Sequence, residues 1–243
     1  MKPYRGGEEH TGRVTMERRP TIAALNKLVI RCRRCPRLVA WREDVARTRV
    51  RRYADQEYWG KPLTGFGDPG ARVVLVGLAP AANGGNRTGR MFTGDESGNW
   101  LFRALYETGF ANRPESLHRD DGLLLSDCYI TASVRCAPPK NKPSSEEFAN
   151  CRPFLLEELR LLANLQVVVG LGKIGFDAAA SALKALGLID FSRRPAFGHG
   201  VRYRYDGVTL LATYHPSQQN TFTGKLTRRM LAGVLRAAAQ ARR

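Results

Sequence analysis

Hydrophobic positions along the chain change period several times, and each change predicts an element. Ile22, Leu25, Leu28, Val29 and Cys32 recur at the three- and four-residue spacing of one helical face, with Thr21 placed to cap its start. Pro36 halts that helix and opens the next, expected over residues 38–47. Residues 58–70 read as a loop. Arg72-Val73-Val74-Leu75-Val76 then forms a continuous β-branched run, the mark of a parallel strand buried on both faces. A Gly-rich loop runs to Gly94, and Trp100, Leu101, Ala104 and Leu105 share the face of a helix that Gly109 closes. Residues 123–134 predict a second strand. Ser144 with Glu147 makes a capping box for a helix whose Phe148, Cys151, Leu155, Leu159 and Leu162 fall on one side. Residues 165–169 predict a third strand and 176–186 the helix that crosses back. Val201, Tyr203 and Tyr205 alternate up to Asp206-Gly207, a two-residue hairpin turn, and residues 208–213 return to His215.

Strands alternating with helices predict a three-layer α/β/α sandwich with a mainly parallel central sheet and at least one hairpin strand. Residues 1–20 are polar and basic without an apolar period and predict a flexible basic tail, leaving 21–243 as a single domain. The 243 residues are 43% hydrophobic, enough for a substantial core. No run approaches the roughly 18 apolar residues that span a bilayer, and the N-terminus lacks the charged-then-apolar order of a secretory leader, so the reading is cytoplasmic. Lys and Arg number 39 against 22 Asp and Glu, a net charge of +17 that suits a polyanion such as nucleic acid, or else an acidic membrane surface.

Four of the five cysteines fall into two distant pairs. Cys32 and Cys35 close the first helix, and Cys136 and Cys151 join the end of a strand to the first turns of the capped helix. In a reducing compartment such thiols read as metal ligands or as buried small hydrophobes rather than disulfides, and zinc is the commoner occupant of such pairs. Cys128, inside an apolar strand, reads as core. Gly170-Leu171-Gly172-Lys173 lacks the spacing of a nucleotide-binding loop and reads as a tight strand-to-helix turn.

Gly77-Leu78-Ala79-Pro80-Ala81, followed by Gly84-Gly85-Asn86-Arg87-Thr88-Gly89-Arg90-Met91-Phe92-Thr93-Gly94-Asp95, resembles the first motif of the family 5 uracil-DNA glycosylases, the UdgB enzymes. His215-Pro216-Ser217 resembles the second motif of that superfamily, and Val134-Arg135-Cys136-Ala137-Pro138-Pro139 the cluster-bearing segment of families 4 and 5. The resemblance runs from about Cys32 to Arg229. It implies a glycosylase fold and a monomer acting on double-stranded DNA. It also implies a [4Fe-4S] cluster on Cys32, Cys35, Cys136 and Cys151, which reverses the zinc-first order, and excision of uracil, hypoxanthine and xanthine.

Such chemistry makes three demands. A flipped base needs a flat surface, and Phe92 resembles the stacking aromatic, with Gly77, Ala79, Pro80 and Ala132 around the base. Breaking the N-glycosidic bond leaves an anionic base, and His215, after a strand, fits the donor to its oxygen. Water must then attack the sugar. Ala79 stands where many superfamily members carry a water-activating side chain, so catalysis leans on electrostatic stabilisation, on a water held by backbone or by Asn86, or on Asp95 as a substitute base, Asp95 also fitting the N-cap of the next helix. Ala132 replaces the uracil-reading amide of family 4, which predicts weaker discrimination among bases. Ser217, Gln218, Gln219, Asn220, Thr221 and Phe222 resemble the loop that enters the minor groove, with Phe222 as wedge, and Lys225, Arg228 and Arg229 are placed to meet phosphates. A zinc-stabilised, non-catalytic nucleic-acid module is the competing class; it would be colourless and release no base.

Overall fold

The computed structural model describes residues 20–242, so the tail predicted at residues 1–20 lies outside them except for Pro20. The β-branched run becomes β2 (Val73–Gly77), buried along its whole length. Val73 and Leu75 enter one core and Val74 and Val76 another, as the two-residue period of a strand requires. With β1 (Phe66–Gly67), β3 (Cys128–Ala132), β4 (Val167–Leu171), β5 (Arg202–Arg204) and β6 (Thr209–Thr213), β2 forms a six-stranded sheet in the order β1-β3-β2-β4-β6-β5. The central four strands are parallel and the two edges antiparallel. Gly77 lies opposite Ala132, and Leu171 opposite Thr213, so the carboxyl ends of the parallel strands come level along one rim.

Helices cover both faces, giving the three layers. On one side α4 (Glu96–Glu107) packs against α8 (Arg228–Ala241) over Leu101, Leu105, Leu231 and Leu235. On the other, α5 (Ser145–Leu161) and α6 (Gly172–Ala185) bury Leu155, Leu159, Phe176 and Leu183. A third, smaller core joins α1 (Ile22–Ile30) and α2 (Pro36–Thr48) to α5 through Leu25, Val29, Leu38, Cys136, Cys151 and Phe154. The predicted caps hold: Thr21 accepts from Ala24 N at 3.1 Å, and Ser144 and Glu147 bond reciprocally at 3.3 and 2.7 Å.

Several boundaries differ from the pattern: the strand expected over residues 165–169 lies two residues later as β4, and α2 extends past the expected 38–47 at both ends. The strand expected over residues 123–134 is confined to β3. Asp127 turns the chain at φ 54°, and its carboxylate holds that turn by accepting from Arg72 N at 2.8 Å and from the Arg72 and Arg242 guanidiniums. The loop over 58–70 contains β1, too short to show a period. The crossing helix starts at Gly172 rather than Phe176, since Gly172 takes φ 79° and turns straight out of β4. Among the described residues no helix is long and apolar enough to cross a membrane.

Candidate active site

Open α/β sheets bind ligands beyond the carboxyl ends of their strands, and the rim of β2, β3 and β6 carries such a site. A pocket of about 260 Å3, open to solvent, is lined by Leu78, Ala79, Phe92, Asp95, Asn141, His215 and Ser217 among others. Its size suits a small ligand.

Phe92 is aimed by its backbone. It sits at φ 51°, a left-handed conformation that is rare for an aromatic residue and needs a rigid frame. Gly98 supplies part of that frame, because a Cβ there would collide with the Phe92 carbonyl. Gly77 supplies clearance, since a Cβ would lie 2.8 Å from the edge of the Phe92 ring. The neighbouring side chains complete it. Arg90 donates to Thr93 Oγ1 at 3.1 Å, to Ser116 Oγ at 2.7 Å and to both Asp121 oxygens at 2.9 and 2.5 Å, and the Arg90 and Asp121 side chains are each only 3% exposed. Burial alone would raise the Asp121 carboxyl, but Arg90 and the backbone N–H groups of Leu123 and Leu117 outweigh it and hold the group well below the usual carboxylate range.

The imidazole of His215 faces Phe92 with ring centroids 5.8 Å apart. Burial pushes its pKa down to about 4, so at neutral pH it is an uncharged N–H donor rather than an imidazolium. Asn220 donates to the His215 carbonyl at 2.8 Å and fixes the His-Pro-Ser turn from behind, an inward role where the sequence suggested a DNA contact. Gly172 lets this turn pack against α6, where a Cβ would stand 3.0 Å from that of His215.

Asp95 takes the capping role and also reaches the pocket. It caps α4 by accepting from Gly98 N at 2.9 Å while lining the pocket, and burial raises its pKa above the ordinary carboxylate value, with the backbone N–H groups of Gly98 and Ser97 opposing. Asn86 does not join it. Its side chain is wholly enclosed and donates to the Arg42 carbonyl at 3.1 Å, so it is turned away from the pocket and cannot hold water there. Ala132 and Pro80 are buried and do not line the pocket. Asn141, which the sequence reading missed, does line it. Lys140 and Asn141 are successive left-handed residues at φ 53° and 55°, and an Asn between two prolines was the available signal, since Asn tolerates this conformation.

Residues 64–239 match the uracil DNA glycosylase superfamily. The chain belongs to that superfamily. Its relatives place it in the type-5 family. It is 52% identical over 205 residues to a type-5 uracil-DNA glycosylase of Thermus thermophilus, covering 84% of this chain and 90% of that protein. It is 50% identical over 215 residues to one of Pyrobaculum aerophilum, covering 88% and 90%. A type-5 enzyme of Mycobacterium bovis is 48% identical over 220 residues, 90% of this chain and 81% of that protein. A type-4 uracil-DNA glycosylase of Pyrobaculum aerophilum is more distant, at 26% identity over 199 residues.

In this type-5 glycosylase the two distant cysteine pairs meet. Cys32, Cys35, Cys136 and Cys151 line one small pocket with Leu38, Pro62 and Arg135, and all five cysteines of the chain are free thiols. Arg42, buried in α2, donates to Cys136 Sγ at 2.9 Å, Asn150 reaches Cys35 Sγ at 3.7 Å and Arg135 N reaches Cys151 Sγ at 3.4 Å. Burial pushes the Cys136 thiol up to about 12. Among the described residues no three His, Cys, Asp or Glu side chains form a group that could hold a metal ion. Cys128 is core, as expected, and burial raises its thiol.

Beside the pocket, Ser217 precedes the short helix α7 (Gln218–Phe222), whose Gln218 and Gln219 are exposed and whose Phe222 stands 79% exposed at its end. Lys225 lies over the Tyr214 ring at 4.9 Å and Arg228 over the Trp100 ring at 5.2 Å, with Arg229 exposed beside them. These exposed, mostly basic side chains follow His215 in the chain as a lip anchored by Lys225 on Tyr214, the residue before His215.

Proposed function

We propose that this type-5 glycosylase removes uracil, hypoxanthine and xanthine from double-stranded DNA by hydrolysing the N-glycosidic bond, leaving an abasic site. The observation that carries the reading is the pairing of Phe92 with a neutral His215 across a pocket at the sheet rim. A base rotated out of the duplex stacks on Phe92. As the bond lengthens, negative charge builds on the base, and an N–H of His215 directed at its oxygen gains strength in step with that charge. Asp95 and Asn141 are the carboxylate and the amide that line the pocket, placed to hold the attacking water, Asp95 as base and Asn141 as orienting amide. Ala79 on the pocket wall, and an alanine at position 132 too short to reach it, leave the base edge without a dedicated reader, which supports broad use of deaminated bases. Phe222 fills the gap left in the stack, while Lys225, Arg228 and Arg229 hold phosphates.

Four thiols on one pocket are the donor chemistry an iron-sulfur cluster takes, which supports the cluster reading even though, among the described residues, no three of them are grouped as a metal site. Beside that small space the buried guanidinium of Arg42 donates to Cys136 Sγ at 2.9 Å, a bond that negative charge on the sulfur strengthens. Cys32, Cys35, Cys136 and Cys151 would hold the cluster, which when bound ties α2 to the segment leading to Asn141.

The test is incubation with duplex oligonucleotides carrying one uracil, hypoxanthine, xanthine or thymine, then alkali to cut abasic sites. Cleavage at the first three, lost in His215→Ala and kept in Cys128→Ser, is the expected pattern. Strict preference for uracil would overturn the broad substrate range, and no cleavage at all would overturn the assignment of the pocket. Iron analysis and visible absorption test the cluster separately.

A further inference from the structure

Helix α2 touches both the cysteine pocket and the loop that builds the base pocket. Its N-cap is Cys35, and Arg42 at its centre makes two opposed links. The guanidinium reaches Cys136 Sγ at 2.9 Å and the Cys32 carbonyl at 3.4 Å. The backbone carbonyl of the same residue accepts the Asn86 amide at 3.1 Å. Asn86 belongs to α3 (Gly85–Thr88), inside the stretch between Ala79 and Asp95, and its own carbonyl accepts from Gly60 N at 3.1 Å. Both side chains are sealed from water, and each leaves one polar atom, Asn86 Oδ1 and Arg42 Nε, without a partner. Buried polar groups are normally satisfied, so a half-used amide at this position marks a bond that a hydrocarbon could not supply. A guanidinium also bonds far more strongly to a charged sulfur than to a neutral one.

We propose that Asn86 is a positioning residue that fastens the loop of residues 79–95 to helix α2, so that the state of the cysteine pocket reaches Phe92 and Asp95 through Arg42. The second half of this statement rests on the cluster reading; the fastening itself does not. Filling the cysteine pocket holds Arg42 from one side, and the rigid helix passes that restraint to the acceptor of Asn86. Releasing it frees the loop that carries Phe92 and Asp95, while the DNA-holding lip at Phe222 and Lys225 is untouched.

The full chain is compared with Asn86→Ala and Arg42→Met by iron content, visible absorption, affinity for uracil-containing duplex, single-turnover excision rate and hydrogen exchange. Asn86→Ala should keep wild-type iron, absorption and DNA affinity, lose roughly tenfold to a hundredfold in single-turnover rate from misplaced groups, and exchange faster across residues 79–95. Chelating iron from the wild type should speed exchange over the same residues, and should add little in Asn86→Ala. Arg42→Met should show the faster exchange and bind less iron. Wild-type rate and exchange in Asn86→Ala would overturn the fastening. Faster exchange after chelation confined to the cysteine segments would overturn the coupling. Should Asn86→Ala fail to fold, Asn86→Leu, close in volume and without the donor, takes its place for the fastening, and the chelation arm on the wild type decides the coupling. A wild-type chain that takes up no iron overturns the cluster reading and the coupling with it, leaving the fastening to stand or fall on Asn86→Ala.

Discussion

Replacing Arg90 with methionine keeps most of the side-chain volume and removes the charge, which isolates what the Arg90–Asp121 pair contributes. The structure sets the scale. Asp121 would retain the backbone donors Leu117 N at 2.8 Å and Leu123 N at 2.9 Å but lose both guanidinium bonds, and Thr93 and Ser116 would each lose a partner. Breaking a buried pair from one side costs about 3–5 kcal/mol, set against a total stability of about 5–15 kcal/mol. At about 2–4 °C per kcal/mol for a chain of this size, Tm should fall by about 6–20 °C. Thermal unfolding followed by circular dichroism measures it. Arg160→Met, which breaks an exposed pair with Glu157, is the control and should lie within about 1 kcal/mol of wild type. Asp121 has its carboxyl held below the usual range in the folded state, so its contribution is present above the unfolded value of about 3.9 and is lost as pH falls through the lower folded value. The Tm gap between wild type and Arg90→Met should therefore stay constant from neutral pH to about 4 and narrow only below it. A gap under about 1 kcal/mol at pH 7, or one that closes by pH 5.5, would refute the claim that this is a sealed pair framing Phe92.

Three further outcomes follow. Gly77→Ala should fold normally but displace the Phe92 ring, lowering single-turnover excision by about tenfold or more, measured against unchanged duplex affinity. His215, neutral down to about pH 4 in the folded protein, opposes folding once the unfolded imidazole binds a proton; stability should be full above pH 6.5 and decline as pH falls from there toward 4, and His215→Gln should flatten that part of the Tm profile. Lys225→Ala and Arg228→Ala should each reduce the slope of log K against log salt by about 1 with uracil and undamaged duplexes alike, read by fluorescence anisotropy.

What could be seen in the sequence and what could not divide along a physical line. Val73 to Val76 announced itself because a strand buried on both faces tolerates only one kind of residue. Phe92, Asp95 and His215 were found because their chemistry is tied to ordered motifs, and the structure brings all three to one pocket. Asn86 lay in the same motif but points the other way. Whether an amide in a Gly-rich loop faces a ligand or a helix depends on α2, more than 40 residues upstream, and no local pattern carries that information. Arg42 was equally hidden, since an arginine in a mixed helical stretch reads as solvated and here is buried against sulfur. Asn141 needed the left-handed turn that Lys140 begins, a backbone state that only the assembled loop selects.

The two borders of the sheet have a consequence for how the protein keeps company with itself. Its inner strands, Val73–Gly77 above all, have the apolar, uncharged composition that stacks into fibrils when left open. They are flanked by β1, two residues long and including a glycine, and by β5, whose Arg202 and Arg204 are exposed on either side of Tyr203. A visiting strand meets at one border a stub with little ladder to extend and at the other two positive charges that repel an identical copy. The fold therefore carries its own guard against sheet-to-sheet growth, and charge-neutralising substitutions at Arg202 and Arg204 would remove half of it.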